Sequence, residues 1–285
     1  MLLNFYDMKN ILATFMFLMI VSVMFAQSVF NYNYPLAWNY NCFTTVYDNE
    51  NYYLSGGIGF NDPLCDYWII GHHITKISNL GIKDTTVVYG KCGQNVYSGY
   101  EQSMHKVADT LYVLGGEYND SLCKLFFLSV NEGLDTIRNT YLLNDSTTKR
   151  AFSFCHDLDN NFLICGQIDS SYNEVLTPTP NITFTKPILI KIDNTGQILW
   201  SKSYSIGDIS DGCWSSFYRV LPTYDKGFMA IGVTYDFGNL RGLVLKTDSL
   251  GNQQWVRFYG NPSFDNPGFS DIIATHDSCF IVCGS

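Results

Sequence analysis

The chain has 285 residues and a formal net charge of −9, with 16% aromatic and only 15% charged residues. The acidic balance excludes the basic track that nucleic acid requires for counterion release, and it opposes electrostatic docking on anionic lipid. The aromatic share excludes a disordered chain and suits buried sheets.

Residues 1–26 read as a secretory signal peptide. Lys9 supplies a positive charge, Ile11–Phe25 is an apolar run of fifteen residues, and Ala26 offers a small residue before Gln27. The run is short for a membrane span, and no later segment is long and apolar enough to make one. Met8 is the better start, since it sets the charge beside the start. The cut is not followed by a cysteine, which argues against a bacterial lipid anchor. The alternative is an uncleaved anchor helix.

From there the chain repeats itself. Gly56, Gly115, Gly166, Gly232 and Gly284 each end a short apolar run. Gly81, Gly133, Gly196 and Gly251 form a second series in constant phase with the first. Two such landmarks imply a structural repeat of roughly 50–60 residues, the range of propeller blades. Residues 216–260 give the clearest copy. Ser216–Pro222 reads as a first strand, Tyr224–Gly227 as a turn with Gly227 at positive φ, and Phe228–Val233 as a strand covered on both faces. Gly242–Thr247 and Gln254–Tyr259 follow as third and fourth strands around the turn Asp248–Gly251. Phe30–Tyr40 reads as a leading fourth strand and Cys42–Val46 as a first one. The count is four full units and two strands of a fifth, ending where earlier copies continue, as a truncated protein would.

Nine cysteines in an exported chain leave at least one thiol over. Cys165 and Cys283 fill the slot held elsewhere by Ser55, Leu114 and Ile231, which points to a small buried role. Cys65 and Cys123 sit in matching loops of neighbouring units, and the absence of CxxC argues against structural zinc.

The connections sort into two kinds. First-to-second and third-to-fourth turns are short and regular. Second-to-third and fourth-to-first connections vary, and in an up-and-down unit both fall on one face. Recognition sits on loops held by a rigid scaffold, so Trp214, Tyr172 and Tyr235 on that face are the candidate ligand contacts. The competing reading is aromatics folded back on their own loops. His105 and His156 share a first-strand position, which suggests a structural role, since Val46 and Pro222 hold it in other units. Asp157–Asn161 has calcium-like spacing in an ordinary turn slot, without the EF-hand glycine and glutamate. Glu117, Glu174, Asp208 and Asp211 lie on the variable face as candidate paired carboxylates. Nucleophile-elbow, zincin and phosphate-loop motifs are missing from the chain.

Lys191-Ile-Asp193-Asn-Thr-Gly196-Gln-Ile-Leu-Trp200 and Lys246-Thr-Asp248-Ser-Leu-Gly251-Asn-Gln-Gln-Trp255 share the pattern K-x-D-x-x-G-x-x-x-W. It resembles the tryptophan-docking repeat of quinoprotein-like β-propellers, and the repeats of secreted bacterial propeller proteins carried by the type IX secretion system. The resemblance covers about Tyr40–Ser285 and is sharp from Ile188 onward; the sorting domain usual in such cargo is not visible. In physical terms, the aspartate closes the turn, the glycine takes the left-handed position, and a tryptophan between units removes about 150–250 Å² from water. That is scaffold chemistry and does not imply a bound quinone.

The expected fold is therefore all-β: a β-propeller of four-stranded antiparallel blades over residues 27–285, with four full repeats, a partial fifth and an incomplete ring. The expected function is a secreted, non-catalytic scaffold or adhesion module. It would bind a glycan or protein, without cofactor, metal or nucleic acid. The alternative is a propeller enzyme, either a quinone-dependent dehydrogenase or a glycan-cleaving hydrolase.

Overall fold

The computed structural model describes residues 39–61, 68–89, 95–98, 102–119, 122–143, 147–171, 183–206, 214–236, 239–260 and 268–284. The described residues form strands and turns without a helix. The first unit holds β1 (Asn39–Tyr47), β2 (Asn51–Asn61), β3 (Trp68–Ser78) and β4 (Lys83–Tyr89). In the second, β5 (Asn95–Ser98) and β6 (Met104–Val107) share the place of a first strand, followed by β7 (Thr110–Asn119), β8 (Leu122–Val130) and β9 (Thr136–Leu142). The third holds β10 (Lys149–His156), β11 (Phe162–Ser171), β12 (Thr183–Ile192) and β13 (Ile198–Ser203). The fourth holds β14 (Trp214–Pro222), β15 (Phe228–Asp236), β16 (Asn239–Thr247) and β17 (Gln253–Tyr259), and β18 (Phe269–Ala274) and β19 (Phe280–Gly284) begin a fifth. Within each unit consecutive strands pair antiparallel, β5 and β6 both pairing with β7. A single parallel pair, Thr185 with Trp214, joins the third and fourth units into one eight-stranded sheet.

The all-β class and the four-stranded antiparallel unit match the sequence reading. One strand assignment changes. Tyr40 belongs to the first strand, because Asn39 and Tyr40 continue β1 and pair with Gly59 and Ile58. Residues 30–38 of the expected leading strand lie outside the described residues.

The first glycine series has a geometric cause. Each first strand carries a one-residue bulge at the same register: Phe43 in β1, Phe152 in β10, Tyr218 in β14 and Ser270 in β18. In β10, β14 and β18 the bulge carries the first strand's backbone over the glycine paired beside it. A Cβ on Gly166, Gly232 or Gly284 would lie well inside the carbonyl oxygen of Arg150, Ser216 or Gly268. Close backbone approach of this kind is a recurrent reason for glycine within a strand. In the second unit the bulge grows into a break: Ser98 pairs with Gly115, and Met104 with Val113.

The second glycine series holds in three units of four. Gly81, Gly196 and Gly251 have φ of 77°, 83° and 76°. In the second unit it is Leu134, at φ 67°, that takes this place, with Gly133 one residue earlier. The turn hydrogen bonds agree, since Leu134 N donates to Asn131 O as Gly196 N donates to Asp193 O. Leu134 is almost fully buried, so its apolar contact offsets the left-handed strain of about 1–2 kcal/mol. The first-to-second turn of the fourth unit also differs from expectation: Lys226, at φ 64°, is its left-handed residue. Gly227 is small because Thr247 O and Lys246 Nζ close over it.

Among the described residues the apolar core falls into four clusters, each centred on the seam between consecutive units. Tyr53 and Ile74 meet Leu111 and Val113 across the first seam. Leu114 and Phe127 meet Phe154 and Phe162 across the second, and Cys165 and Leu189 meet Phe217 and Phe228 across the third. Ile231 and Val244 meet Ile272 across the fourth. A unit therefore buries its faces only by stacking, as repeat arrays do. Cys165 is fully buried in its slot, whereas Cys283, at the equivalent position in β19, is exposed.

Candidate functional site

The strand ends define two unlike faces. On one, residues 157–161, 193–197, 223–227 and 248–252 form five-residue turns. Their aspartates hold them. Asp193 Oδ1 accepts from Thr195 N and Gln197 N at 2.8 and 2.9 Å, and Asp248 Oδ1 accepts from Leu250 N and Asn252 N at 2.9 and 2.7 Å. On the other face the connections range from residues 120–121 to residues 172–182.

The motif residues lock one unit to the next. Trp200, half-buried on β13, lies under the turn of the fourth unit, where a Cβ on Gly251 would come within 2.7 Å of its ring. Tyr204 donates its hydroxyl to Gly251 O at 2.8 Å. The second seam repeats the arrangement without the tryptophan, since Gly196 rests on Thr140 of β9. At the first seam, Tyr89 donates to Leu134 O at 2.9 Å. Trp255 packs into the fourth seam, with the Arg257 guanidinium 5.0 Å from its ring centre.

On the variable face, Trp214 opens β14 and Tyr235 lies near the end of β15, directly opposite it in register. Their rings lie within 9° of parallel with centroids 6.3 Å apart. Trp214 is half-buried and Tyr235 is 36% exposed. Both are set by buried hydroxyls beside them in the chain. Ser215 Oγ and Thr234 Oγ1 share a hydrogen bond of 2.7 Å. Thr185 Oγ1 accepts from Ser215 N at 3.2 Å and donates to Ser215 O at 3.3 Å, which fixes the backbone next to Trp214. One register step from Tyr235, and so on the opposite face of the sheet from the two rings, Arg241 pairs across from Thr234, and its Nε is buried without a partner. The sequence gives no sign of Thr185 at this place, because only the pairing of β12 with β14 brings it here. Tyr172, Glu174, Asp208 and Asp211 lie outside the described residues.

Other candidates are engaged in the fold. Glu117 accepts the Tyr141 hydroxyl at 2.5 Å, and burial, followed by that carboxylate, pushes the Tyr141 pKa up to about 12. Asp157 Oδ1 accepts from Asp159 N and Asn161 N, and the Lys191 ammonium sits 2.7 Å from Oδ2, where a calcium ion would have to bind. His105 Nε2 lies 2.7 Å from Phe154 O, and burial lowers its pKa. His156 packs on the Phe162 ring. His72 and His73 are both fully buried, and His72 Nε2 contacts Ser55 Oγ at 3.1 Å. Groups of three or more metal-ligating side chains with suitable geometry do not occur among the described residues.

No protein-family model matches the chain. No curated protein matches it. Among solved structures, the mannose phosphorylase MPT-4 from Leishmania mexicana, determined in complex with phosphate ion, superposes with a TM-score of 0.42 at 10% identity, over 86% of this chain and 79% of that one.

Proposed function

We propose that the chain is the blade array of a secreted β-propeller and acts as a non-catalytic scaffold or adhesion module outside the cell, binding a glycan or protein on its variable face. In this reading residues 1–26 are removed as a signal peptide, residues 27–285 form the repeat domain, and type IX secretion is the export route the repeat resemblance implies. Radial stacking is supported by a burial gradient within the third and fourth units: β10 and β14 are mostly buried, β13 and β17 mostly exposed. It is also supported by inner-strand packing, with β10 against β14 and β14 against β18. Such stacking leaves only short, protected sheet edges.

The Trp214–Tyr235 pair carries the functional part. It sits on the face whose connections vary, while its backbone is fixed by buried hydroxyl pairs. Variable loops on a rigid scaffold are where recognition concentrates, and aromatic anchors dominate contact energetics. The test is binding of labelled protein to intact cells and extracellular matrix, comparing wild type with the Trp214→Ala/Tyr235→Ala double variant. About a tenfold or larger loss of binding is expected, the scale of one hot-spot truncation. Undiminished binding by a folded double variant would overturn the reading.

A further inference from the structure

The first and fifth units carry a second surface, independent of the variable face. Strand register defines equivalent positions in the units, counted from the glycine beside the first-strand bulge. Side chains alternate between the two faces of a sheet, so each position belongs to one side of a seam. On the side turned to the next unit, Leu163 and Cys165 fill the third seam, and Met229 and Ile231 fill the fourth. The fifth unit places Ile281 and Cys283 at these positions, with Ile273 paired opposite Ile281. Ile273 is 54% exposed and Ile281 56%, and Cys283 is exposed as well.

The complementary half lies at the first unit. On the side turned to the previous unit, Phe217 and Val220 enter the third seam, and Phe269 and Ile272 enter the fourth. The first unit places Cys42 and Thr45 at these positions, and both are exposed. Tyr47, the next residue on that side, stacks on Tyr52 at 4.5 Å and is still 49% exposed. The molecule thus presents the two halves of one more seam, both open. They do not cover each other within one copy: β18 rests on β14 and β15, while β1 rests on β6 and β2 on β5. Exposed apolar surface on a sheet marks a docking site. The shape that fits each face is the opposite face of the same chain, because the closed seams join these same two sets of positions.

We propose that the chain associates head to tail with a second copy, the fifth unit of one molecule seated on the first unit of the next in the manner of the internal seams. Such a contact joins two different surfaces, so it yields a ring where the rotation closes and a filament where it does not. Size-exclusion chromatography with light scattering tests it by reading mass against concentration. The wild-type mass should rise above that of the monomer as concentration rises. Ile281→Asp removes the tail half and Thr45→Asp the head half. Both residues are exposed in the single copy, so both variants should keep the wild-type circular dichroism spectrum. Each variant alone should associate at least tenfold more weakly. An equimolar mixture of the two should form dimers and stop there, because the intact head of one variant meets the intact tail of the other.

The native cysteines give the register of the contact. A bis-maleimide with a reach of about 10 Å, the separation of packed sheets, should join Cys42 of one copy to Cys283 of the next. Cys42→Ser and Cys283→Ser should each abolish that product. A wild-type chain that stays monomeric at every concentration would overturn the proposal, as would association that survives both aspartate variants. If the mixed variants stay monomeric, or if the cross-link is lost in Cys283→Ser and kept in Cys42→Ser, like faces pair with like and head-to-tail assembly fails.

Discussion

At the scale of single residues, glycines within strands do different jobs. Gly232 has no side chain because the β14 bulge brings Ser216 O over its Cα, whereas Gly57, also within a strand, has Phe43 as its nearest neighbour at 4.0 Å from a built Cβ. Gly232→Ala should therefore force the bulge apart at a cost of about 2–3 kcal/mol, as overpacking does. Gly57→Ala should be neutral, or stabilising by about 0.5–1 kcal/mol through reduced chain entropy in the unfolded state. Urea unfolding of the two variants measures this directly. Equal midpoints would show that the bulge can relax and that close approach is not what selects glycine. The sequence displayed this series plainly, because a backbone clash tolerates one residue type only. The aromatic identity of the bulge at Phe43, Phe152 and Tyr218 was not legible, since nothing in local periodicity marks an inserted residue.

At the scale of elements, the unit is held to its successor by a turn placed on a fourth strand. Trp200 covers the Gly251 turn and Tyr204 bonds its carbonyl, so the turn is clamped by ring and hydroxyl together. Trp200→Ala should cost about 3 kcal/mol, the lower end of large-aromatic truncation, because the ring is half-buried. Gly251→Ala should be destabilising for two reasons: a left-handed φ of 76° and the ring contact at 2.7 Å. In a Trp200→Ala background only the first remains, about 1 kcal/mol, so the double variant should be more stable than the sum of the single effects. Additivity in a thermal or urea double-mutant cycle would refute the clamp. The K-x-D-x-x-G-x-x-x-W pattern made this junction visible at the third unit. The second unit hid its version because the left-handed place fell to Leu134, one residue beyond Gly133, and the tryptophan's register position to Arg138, while Thr140 meets the next turn. In such a case register decides, and register follows from pairing that a single strand does not encode.

At the scale of the whole molecule, stacking puts titratable groups where water cannot reach, and stability acquires a pH dependence. His72 is fully buried beside Phe126, and desolvation, then the neighbouring His73, lowers its pKa from 6.5 to about 3. Above pH 6.5 the imidazole is neutral in both folded and unfolded chains and contributes no slope. Between 6.5 and 3 the unfolded chain binds a proton that the folded chain refuses, so stability falls as the pH falls, by up to about 1.4 kcal/mol per pH unit for this one group. His105, also lowered by burial, adds slope of the same sign just below 6.5. Asp225 acts lower on the scale. The Lys246 ammonium and the Thr223 hydroxyl hold its carboxyl at about 2, so its contribution is present above 3.8 and is lost between 3.8 and 2. That contribution is small, because the side chain is 54% exposed and solvent screens the pair. The expected profile is a plateau above pH 6.5 with a decline that starts near 6.5, well before carboxylates titrate. His72→Gln keeps a hydrogen-bonding group toward Ser55 and removes the titration, so it should lower plateau stability yet flatten the decline between pH 6 and 4 by about one proton. Urea unfolding at a series of pH values reads both quantities. An unchanged slope in His72→Gln would mean that the acid sensitivity arises elsewhere, and that the first seam tolerates a charged imidazole.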